Sequence, residues 1–270
     1  MLKFDYHTHT NYSMDCTECL DNMVKAAIKL GLTEYAITDH IDFSFPELDI
    51  LSTKSPAEVF FSIKKAKEKY AGKIKILLGA EFGLRPDTAE ITKKIASEYE
   101  YDLILGSAHV DDIQLEGFAG TYQFSKYYKK HEAYLIYFQN MLDTVMACDT
   151  YDILAHLDYV ERYAKYPDNT LNYEDYREII DKILEIVINK GKGIEVNTSG
   201  YVRSLNRPHP QIDIIRRYIE MGGEIITVGS DAHFSRYIAC GFDKAYALLK
   251  HLGVKYITKF DKRRPRFEKI

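Results

Sequence analysis

The stretch Ile74-Lys75-Ile76-Leu77-Leu78-Gly79-Ala80-Glu81-Phe82 is a short, mostly apolar run with a carboxylate near its end. Its length and apolar character are typical of a strand that is buried on both faces of a parallel sheet. Segments with helical periodicity precede and follow it, at residues 56–70 and 89–98. A buried strand between two helices predicts one unit of an α/β fold.

The same alternation of strand and helix recurs along the chain. The other strand candidates are residues 2–8, 34–38, 103–109, 153–156, 193–197 and 224–228, with a weaker one at 255–260. The other helix candidates are residues 20–30, 127–147, 173–190, 212–221 and 239–252. Because no linker divides these units, the pattern predicts a parallel α/β sheet or barrel that forms one domain over residues 1–270.

Local signals support several boundaries. Gly31 is a stop signal after the first helix, while Ser55 and Pro56 are an N-cap and a first helical residue. The longest loops, at residues 43–54, 110–124 and 157–172, follow strands, where barrel enzymes place substrate contacts. The basic segment 259–269 is predicted to be a solvated C-terminus rather than a nucleic-acid site.

Composition and charge exclude several classes of protein. The chain is 46% hydrophobic and 28% charged, which is typical of a globular protein. Its net charge of -4 gives no general attraction to nucleic acid or to anionic membranes, so an anionic substrate would need a local positive centre. No segment resembles a secretion signal or a membrane span, so we expect a cytoplasmic protein with reduced cysteines. Cys16 and Cys19 form an isolated C-x-x-C pair, which is a weak metal signal.

Histidines and carboxylates follow the predicted strands, at their carboxyl ends. His7 and His9 alternate along the first strand, so both side chains point to the same face. The other strand ends supply His40, Glu81, His109, His156, Asp231 and His233. The carboxyl ends of parallel strands meet on one face of a barrel, and clustered imidazoles and carboxylates are typical ligands of transition metals. The sequence therefore predicts a metal site on this face.

These motifs resemble those of the PHP (polymerase and histidinol phosphatase) superfamily. The matching segments are His7-Thr8-His9-Thr10, Thr38-Asp39-His40, Gly79-Ala80-Glu81, Gly106-Ser107-Ala108-His109 and Gly229-Ser230-Asp231-Ala232-His233. Within the superfamily the chain most resembles histidinol-phosphate phosphatases. The features that carry this likeness are its length, Asp15 after the opening motif, and the segment Glu195-Val196-Asn197-Thr198-Ser199-Gly200-Tyr201-Val202-Arg203.

The resemblance implies a distorted, seven-stranded, TIM-like (β/α)7 barrel that holds up to three divalent ions. By motif position, the ligands of the first ion would be His7, His9, Glu81 and Asp231. Those of the second would be Glu81, His109 and His156, and those of the third Asp15, His40 and His233. Imidazole with carboxylate suits zinc, manganese or iron better than magnesium.

The resemblance further implies hydrolysis of L-histidinol phosphate to histidinol and phosphate, in histidine biosynthesis. Glu81, Asp231 and His233 are the residues that we expect to be essential for catalysis. Arg203 is the first candidate for binding phosphate, because a guanidinium contacts phosphate oxygens in a forked geometry, although a surface ion pair is its alternative.

Weaker candidates for contacts with the substrate lie in neighbouring loops. Arg162 and Arg207 are further cations, and His209 is either a contact or a residue of a rigid loop. The ammonium and imidazole of histidinol phosphate would need carboxylates and an aromatic face. The candidates for these contacts are Asp42, Phe43, Asp111, Phe118 and Tyr159.

Two other functions fit the same residues. A nucleotide phosphatase or exonuclease would use the same metals, although the absence of a basic groove disfavours long nucleic acids. A metal-binding module without catalytic activity is the second alternative, and the complete set of predicted ligands disfavours it. The sequence does not specify the oligomeric state.

Overall fold

A computed structural model describes residues 4–44, 48–109, 126–202 and 205–270, and its main sheet has nine strands within these ranges. They are β1 (Phe4–Asp5), β2 (Glu34–Ile37), β3 (His40–Phe43), β4 (Ile50–Leu51), β5 (Lys75–Gly83), β6 (Leu103–Ser107), β7 (Ile153–Leu154), β8 (Gly193–Asn197) and β9 (Ile226–Gly229). Seven of them pair in parallel in the order β1, β2, β5, β6, β7, β8, β9. In β5 every residue after Lys75 is buried, as its apolar sequence predicts.

The first and last strands of this row meet beyond their carboxyl ends. The amide of Asp231 donates to the carbonyl of His7 at 2.8 Å, and the amide of His9 donates to the carbonyl of Ala232 at 3.0 Å. Thr8 and Ala232 form a parallel bridge between these bonds. The sheet is therefore a nearly closed barrel, which confirms the predicted seven-stranded α/β fold.

Strands β2 and β3 are two halves of one barrel strand. Ile37 pairs with Leu78 and His40 pairs with Glu81, so both halves keep the same register against β5. The short strand β4 then pairs antiparallel with β3, inside the segment predicted to be a loop at residues 43–54. Because the register continues through residues 38 and 39, the side chain of His40 lies next to that of Glu81 on the inner face.

Nine α-helices connect the strands within the described ranges. They are α1 (Leu20–Lys29), α2 (Pro56–Lys69), α3 (Ala89–Glu98), α4 (Lys130–Ala147), α5 (Val160–Tyr163), α6 (Arg177–Asn189), α7 (Ser199–Val202), α8 (Ile212–Glu220) and α9 (Phe242–His251). Ser55 caps α2 as predicted, because its hydroxyl accepts from the amide of Glu58 while the Glu58 carboxylate accepts from the amide of Ser55. None of the described helices is long and apolar enough to span a bilayer.

The C-terminal segment differs from the prediction. Strand β10 (Tyr256–Asp261) pairs antiparallel with β11 (Arg264–Lys269), so the basic segment 259–269 is mostly exposed, as predicted, but forms most of an ordered hairpin. The turn residues Lys262 and Arg263 have φ values of 50° and 62°. The Arg263 guanidinium binds both carboxylate oxygens of Asp152 at 2.9 to 3.0 Å, just before β7. The hairpin is therefore fastened to the amino-terminal face of the barrel.

Candidate metal centre

Eight of the predicted metal ligands come together at the carboxyl-terminal face of the barrel, and Asp15 joins them from the loop after β1. They are His7, His9, His40, Glu81, His109, His156, Asp231 and His233, and all except the partly exposed His233 are buried. Strands β1, β5, β6, β7 and β9 place these residues at or just after their carboxyl ends, as the motif positions predict, and His40 follows the carboxyl end of β2 as the first residue of β3. The sequence alone did not establish the distances within this group.

Glu81 lies at the middle of the group. Its two carboxylate oxygens are 2.8 to 3.4 Å from nitrogens of five imidazoles, those of His7, His9 and His40 around Oε2 and those of His109 and His156 around Oε1. A carboxylate whose oxygens face two sets of imidazoles has the geometry of a ligand that bridges two ions.

A second part of the group surrounds Asp15. Its Oδ2 is 2.8 Å from Nε2 of His233 and 3.7 Å from Nε2 of His40. The His9 ring stacks on those of His40 and His233, with centroids 4.4 and 4.1 Å apart. Asp231 Oδ1 lies 3.4 Å from both His9 Nε2 and His233 Nδ1, so this carboxylate joins the two parts.

The donor atoms fit bound metal. Four overlapping triads each have their donor atoms within 4.8 Å of one another: His7-His9-Glu81, Glu81-His109-His156, His9-His40-His233 and His40-Asp42-His109. The first triad contains three of the four residues predicted for the first ion, the second triad is the set predicted for the second ion, and the third shares two of its residues with the third set. The buried Nε2 of His9 has no hydrogen-bond partner among the described residues, as expected of a nitrogen that serves a cation. Imidazole and carboxylate donors suit a transition metal.

Charge within the centre is unevenly distributed. Burial alone would raise the pKa of Glu81, but the imidazoles of His7, His109 and His40 lower it well below its usual value. Burial lowers the pKa of His9 to about 3, with added repulsion from His233 and His40, so His9 is neutral. A neutral imidazole and an ionised carboxylate are the forms that bind metal.

Two other histidines hold protons beside acidic partners. Burial opposes the cationic form of His7, yet Glu195 and Glu81 raise its pKa well above the usual value. His109 behaves in the same way because Asp42 and Glu81 lie beside it. A divalent cation bound at Glu81 would replace these protons.

The backbone is strained at two of the candidate ligands. Asp231 has a φ of 53° and His156 a φ of 22°, in the left-handed region that residues with a side chain rarely adopt. Such strain persists where the surrounding structure fixes it, and it is concentrated at functional sites. Both residues leave their strands through this conformation.

Buried carboxylates that the sequence analysis did not single out support the ligands. Asp39 accepts hydrogen bonds from the Thr10 amide and hydroxyl and from the Ser13 hydroxyl, at 2.6 to 2.8 Å. Asp5 accepts from the amide of Ser230 at 3.0 Å. Asp39 stands inside the motif Thr38-Asp39-His40, so a carboxylate next to a ligand was the available signal.

The predicted substrate contacts have different surroundings. Arg162 lies at the edge of the centre, with Nη1 3.0 Å from Asp231 Oδ2 and its guanidinium over the Tyr159 ring. Asp42 contacts Nδ1 of His109 at 3.0 Å and Nδ1 of His40 at 3.4 Å, so it belongs to the imidazole group. Arg203 and Phe118, like Asp111, lie outside the described residues.

Within the described ranges, neither Arg207 nor His209 contacts a predicted metal ligand directly. Arg207 pairs with Asp158 at 3.0 Å and with Glu161. His209 is fully buried and its Nδ1 bonds to the Asp158 carboxylate. In the described structure Arg207 therefore anchors the loop before α8, and His209 fits the rigid-loop alternative.

Comparisons with known proteins agree with this geometry. The PHP domain family matches residues 5–199, which is most of the chain. A probable histidinol-phosphatase of Clostridium acetobutylicum is 33% identical over 96% of this chain and 97% of its own length. The histidinol-phosphatase of Lactococcus lactis is 32% identical over 96% of this chain and 95% of its own.

A solved structure extends the likeness to three dimensions. The crystal structure of histidinol phosphate phosphatase from Lactococcus lactis, complexed with zinc, L-histidinol and phosphate, has a TM-score of 0.88. It is 29% identical and covers 98% of this chain and 100% of that one. The fold and the centre define a metal-dependent α/β-barrel hydrolase. The chain belongs to the PHP domain family, in the group of the histidinol-phosphatases, and the predicted resemblance is confirmed.

Proposed function

We propose that this chain hydrolyses L-histidinol phosphate to histidinol and inorganic phosphate, as a metal-dependent phosphatase of histidine biosynthesis in the cytoplasm. The observation that carries the proposal is the buried group of imidazoles around Glu81. It lies in a fold that matches, over 98% of the chain, an enzyme bound to zinc, L-histidinol and phosphate. The net charge of -4 makes such a group the natural place to bind a phosphate ester.

The proposed ligand sets are those of the three predicted ions. His7, His9, Glu81 and Asp231 would hold one ion, Glu81, His109 and His156 a second, and Asp15, His40 and His233 a third. The donor triads around Glu81 support the first two sets, and the contacts of Asp15 with His40 and His233 support the third. Zinc, manganese and iron all suit these donors. When bound, the ions supply Lewis acidity that polarises the phosphate ester and lowers the pKa of water.

The side chains of the protein hold the centre together and bind the substrate. Glu81 and Asp231 hold the two parts of the centre together, and His233 connects Asp231 to Asp15. Arg162 is proposed to bind a phosphate oxygen, because its guanidinium is mostly buried and already contacts a carboxylate of the centre. Arg203 is proposed to bind the phosphate with it, and Phe118 and Asp42 stay proposed substrate contacts.

The test is phosphate release from L-histidinol phosphate beside AMP, a sugar phosphate and a short single-stranded DNA. The protein should be assayed with its metal content measured. We expect kcat/KM for L-histidinol phosphate to exceed that for the other substrates by several decades. Equal rates, or a preference for the nucleotide or the DNA, with metals present would contradict the proposed substrate. Absence of hydrolysis of every ester would contradict the phosphatase activity itself.

A further inference from the structure

Strand β8 supplies none of the predicted metal ligands, yet its polar side chains point into the centre. Glu195 is 1% exposed, and its Oε1 lies 2.7 Å from Nδ1 of His7. Its Oε2 accepts from the backbone amide of His156 at 3.2 Å and from Nδ2 of Asn197 at 3.1 Å. Both oxygens of this buried carboxylate are thus used by groups of the centre or by its own strand.

The contact with His7 decides which nitrogen of that imidazole is available. A carboxylate beside Nδ1 accepts a hydrogen bond from a proton held on that nitrogen, so that Nε2 keeps its lone pair for a cation. Nε2 of His7 is the nitrogen that faces Glu81 Oε2, at 3.0 Å, and Asp231 Oδ1, at 3.9 Å. The carboxylate of Glu195 therefore selects the tautomer and the ring orientation that metal binding needs.

The polar row continues along β8 and into α7. Asn197 Oδ1 accepts from the amide of Ser199 at 3.0 Å and from its hydroxyl at 2.6 Å. The same hydroxyl lies 3.4 Å from Oδ2 of Asp231. Strand β8 and the first residue of α7 thereby contact three segments that bear predicted ligands, at His7, His156 and Asp231.

The close approach of Glu195 to His7 also accounts for a glycine in β9. A methyl group on Gly229 would lie 2.2 Å from Glu195 Oε1 and 2.4 Å from Cβ of His7. Both distances are too short for real atoms, so a side chain here would push the carboxylate and the imidazole apart. Gly229 leaves the space in which they meet.

We propose that Glu195 is a positioning residue that holds His7 in its metal-binding tautomer, with Asn197 fixing the Glu195 carboxylate in turn. The inference rests on the metal centre of the proposed function. It assigns to β8 the task of orienting ligands that other strands carry.

The first test is Glu195→Gln, which preserves size. If the oxygen of the new side-chain amide faces His7, its NH2 group faces the backbone amide of His156 and Nδ2 of Asn197, which are also donors. If the amide is turned the other way, its NH2 group donates to Nδ1 of His7 and the His7 proton must lie on Nε2. We expect one ion to bind roughly 10- to 100-fold more weakly. The measurement is zinc titration of metal-depleted protein against a chromophoric chelator, with unfolding of the metal-free protein recorded beside it. Glu195→Asp keeps the charge but cannot reach His7, so it should weaken binding of the same ion.

Glu34→Gln is the matched control. Glu34 begins β2 at the opposite face, where it accepts from the Tyr6 hydroxyl and pairs with Lys259. Zinc affinity should be unchanged in this variant. If both Glu195 variants fold and bind every ion as wild type does, the inference is wrong while the proposed function stands. If wild type with bound metal hydrolyses no phosphate ester, the proposed function fails instead.

A second measurement needs no variant. In zinc-loaded wild type labelled with ¹⁵N-histidine, the imidazole of His7 should carry its proton on Nδ1 in a strong hydrogen bond, and none on Nε2. A proton on Nε2 of His7 would overturn the inference, whatever the variants do.

Discussion

At the scale of single residues, Glu81 is the residue around which most of the imidazoles of the centre lie. Five imidazoles lie within 3.4 Å of its carboxylate, which belongs to two of the proposed ligand sets. Glu81→Gln should remove the bridging charge and leave those imidazoles facing a neutral amide. Because metal contributes several kcal/mol to the transition state, we expect kcat/KM for L-histidinol phosphate to fall about 10³-fold or more.

Metal analysis of the same sample shows whether that loss of activity comes from lost metal. Glu81→Gln should retain fewer ions than wild type, whereas Glu34→Gln should retain all of them and its activity. Near-wild-type turnover of Glu81→Gln with bound metals would contradict the assigned role of this carboxylate.

Arg162→Lys tests the proposed phosphate contact. Lysine keeps the charge but not the forked donors, and one charged hydrogen bond contributes about 1.5–3 kcal/mol. We therefore expect kcat/KM to fall by roughly one to two decades, mainly through a higher KM. Zinc content should stay at the wild-type level, because Arg162 is not a proposed ligand. An unchanged KM for L-histidinol phosphate would argue against this contact.

The residues carrying the centre differ in how visible they were in the sequence. His7 and His9 stand out because alternate positions of a strand share a face, and the other ligands recur at strand ends. Glu195 and Asn197 also alternate near the end of a predicted strand, but the sequence did not show that Glu195 contacts His7, because the two are 188 positions apart and only the barrel brings them together. For the same reason the contact of Asp42 with His109, across 67 positions, was not foreseen.

At the scale of elements, periodicity predicted where strands and helices lie better than where they end. β8 and α3 match their predicted residues, whereas the strand predicted at 153–156 shortens to Ile153–Leu154. It ends early because His156 leaves the strand with a φ of 22° to join the centre. Ligand geometry thus overrides the apolar pattern at that strand end.

The first strand of the C-terminal hairpin, β10, matches the weaker strand predicted at residues 255–260, but β11 was missed because its sequence has no apolar alternation. β11 is mostly exposed and contains Pro265, so composition favours a solvated segment. What orders it is a contact remote in sequence: Arg263 reaches Asp152, which also accepts from the amide of Ile104.

Arg263→Ala should therefore destabilise the fold. It leaves the Asp152 carboxylate, which is 7% exposed, without its guanidinium, although the 29% exposure of Arg263 limits the loss. We expect about 1–3 kcal/mol less free energy of unfolding, measured by urea denaturation. Arg266→Ala, which breaks an exposed pair with Asp261, should change it by less than about 0.5 kcal/mol. Equal effects of the two substitutions would show that the Arg263 contact does not fasten the hairpin.

At the scale of the whole molecule, the chain is acidic, and the proposed ions would concentrate positive charge at the metal centre. The net charge is -4, yet the proposed ions would bring more positive charge than Asp15, Glu81 and Asp231 neutralise. A phosphate dianion together with one hydroxide would complete that balance, and the ions would stabilise the charge that develops on the phosphate oxygens. Substrate attraction then depends on the loaded centre rather than on the overall surface.

Removing the ions should consequently affect stability as well as activity. Without them, protons on His7 and His109 are the charges that compensate Glu81, Glu195 and Asp42. An ion that binds only the folded state adds about 2.7 kcal/mol at a free concentration of 100 Kd. For a chain of this size we expect that to raise the melting temperature by roughly 5–10 °C per ion. A chelator should lower the melting temperature and abolish phosphate release, and added zinc should restore both.

Variants connect this effect to the centre. Glu81→Gln should lose most of the difference in melting temperature between zinc-loaded and chelator-treated protein, because it removes a donor of two ion sites. Glu34→Gln should retain the full difference, because its carboxylate lies at the other face of the barrel. If chelation strips the metal from wild type without moving its melting temperature, the ions do not contribute to the fold, and the imidazole group must be stable with protons alone.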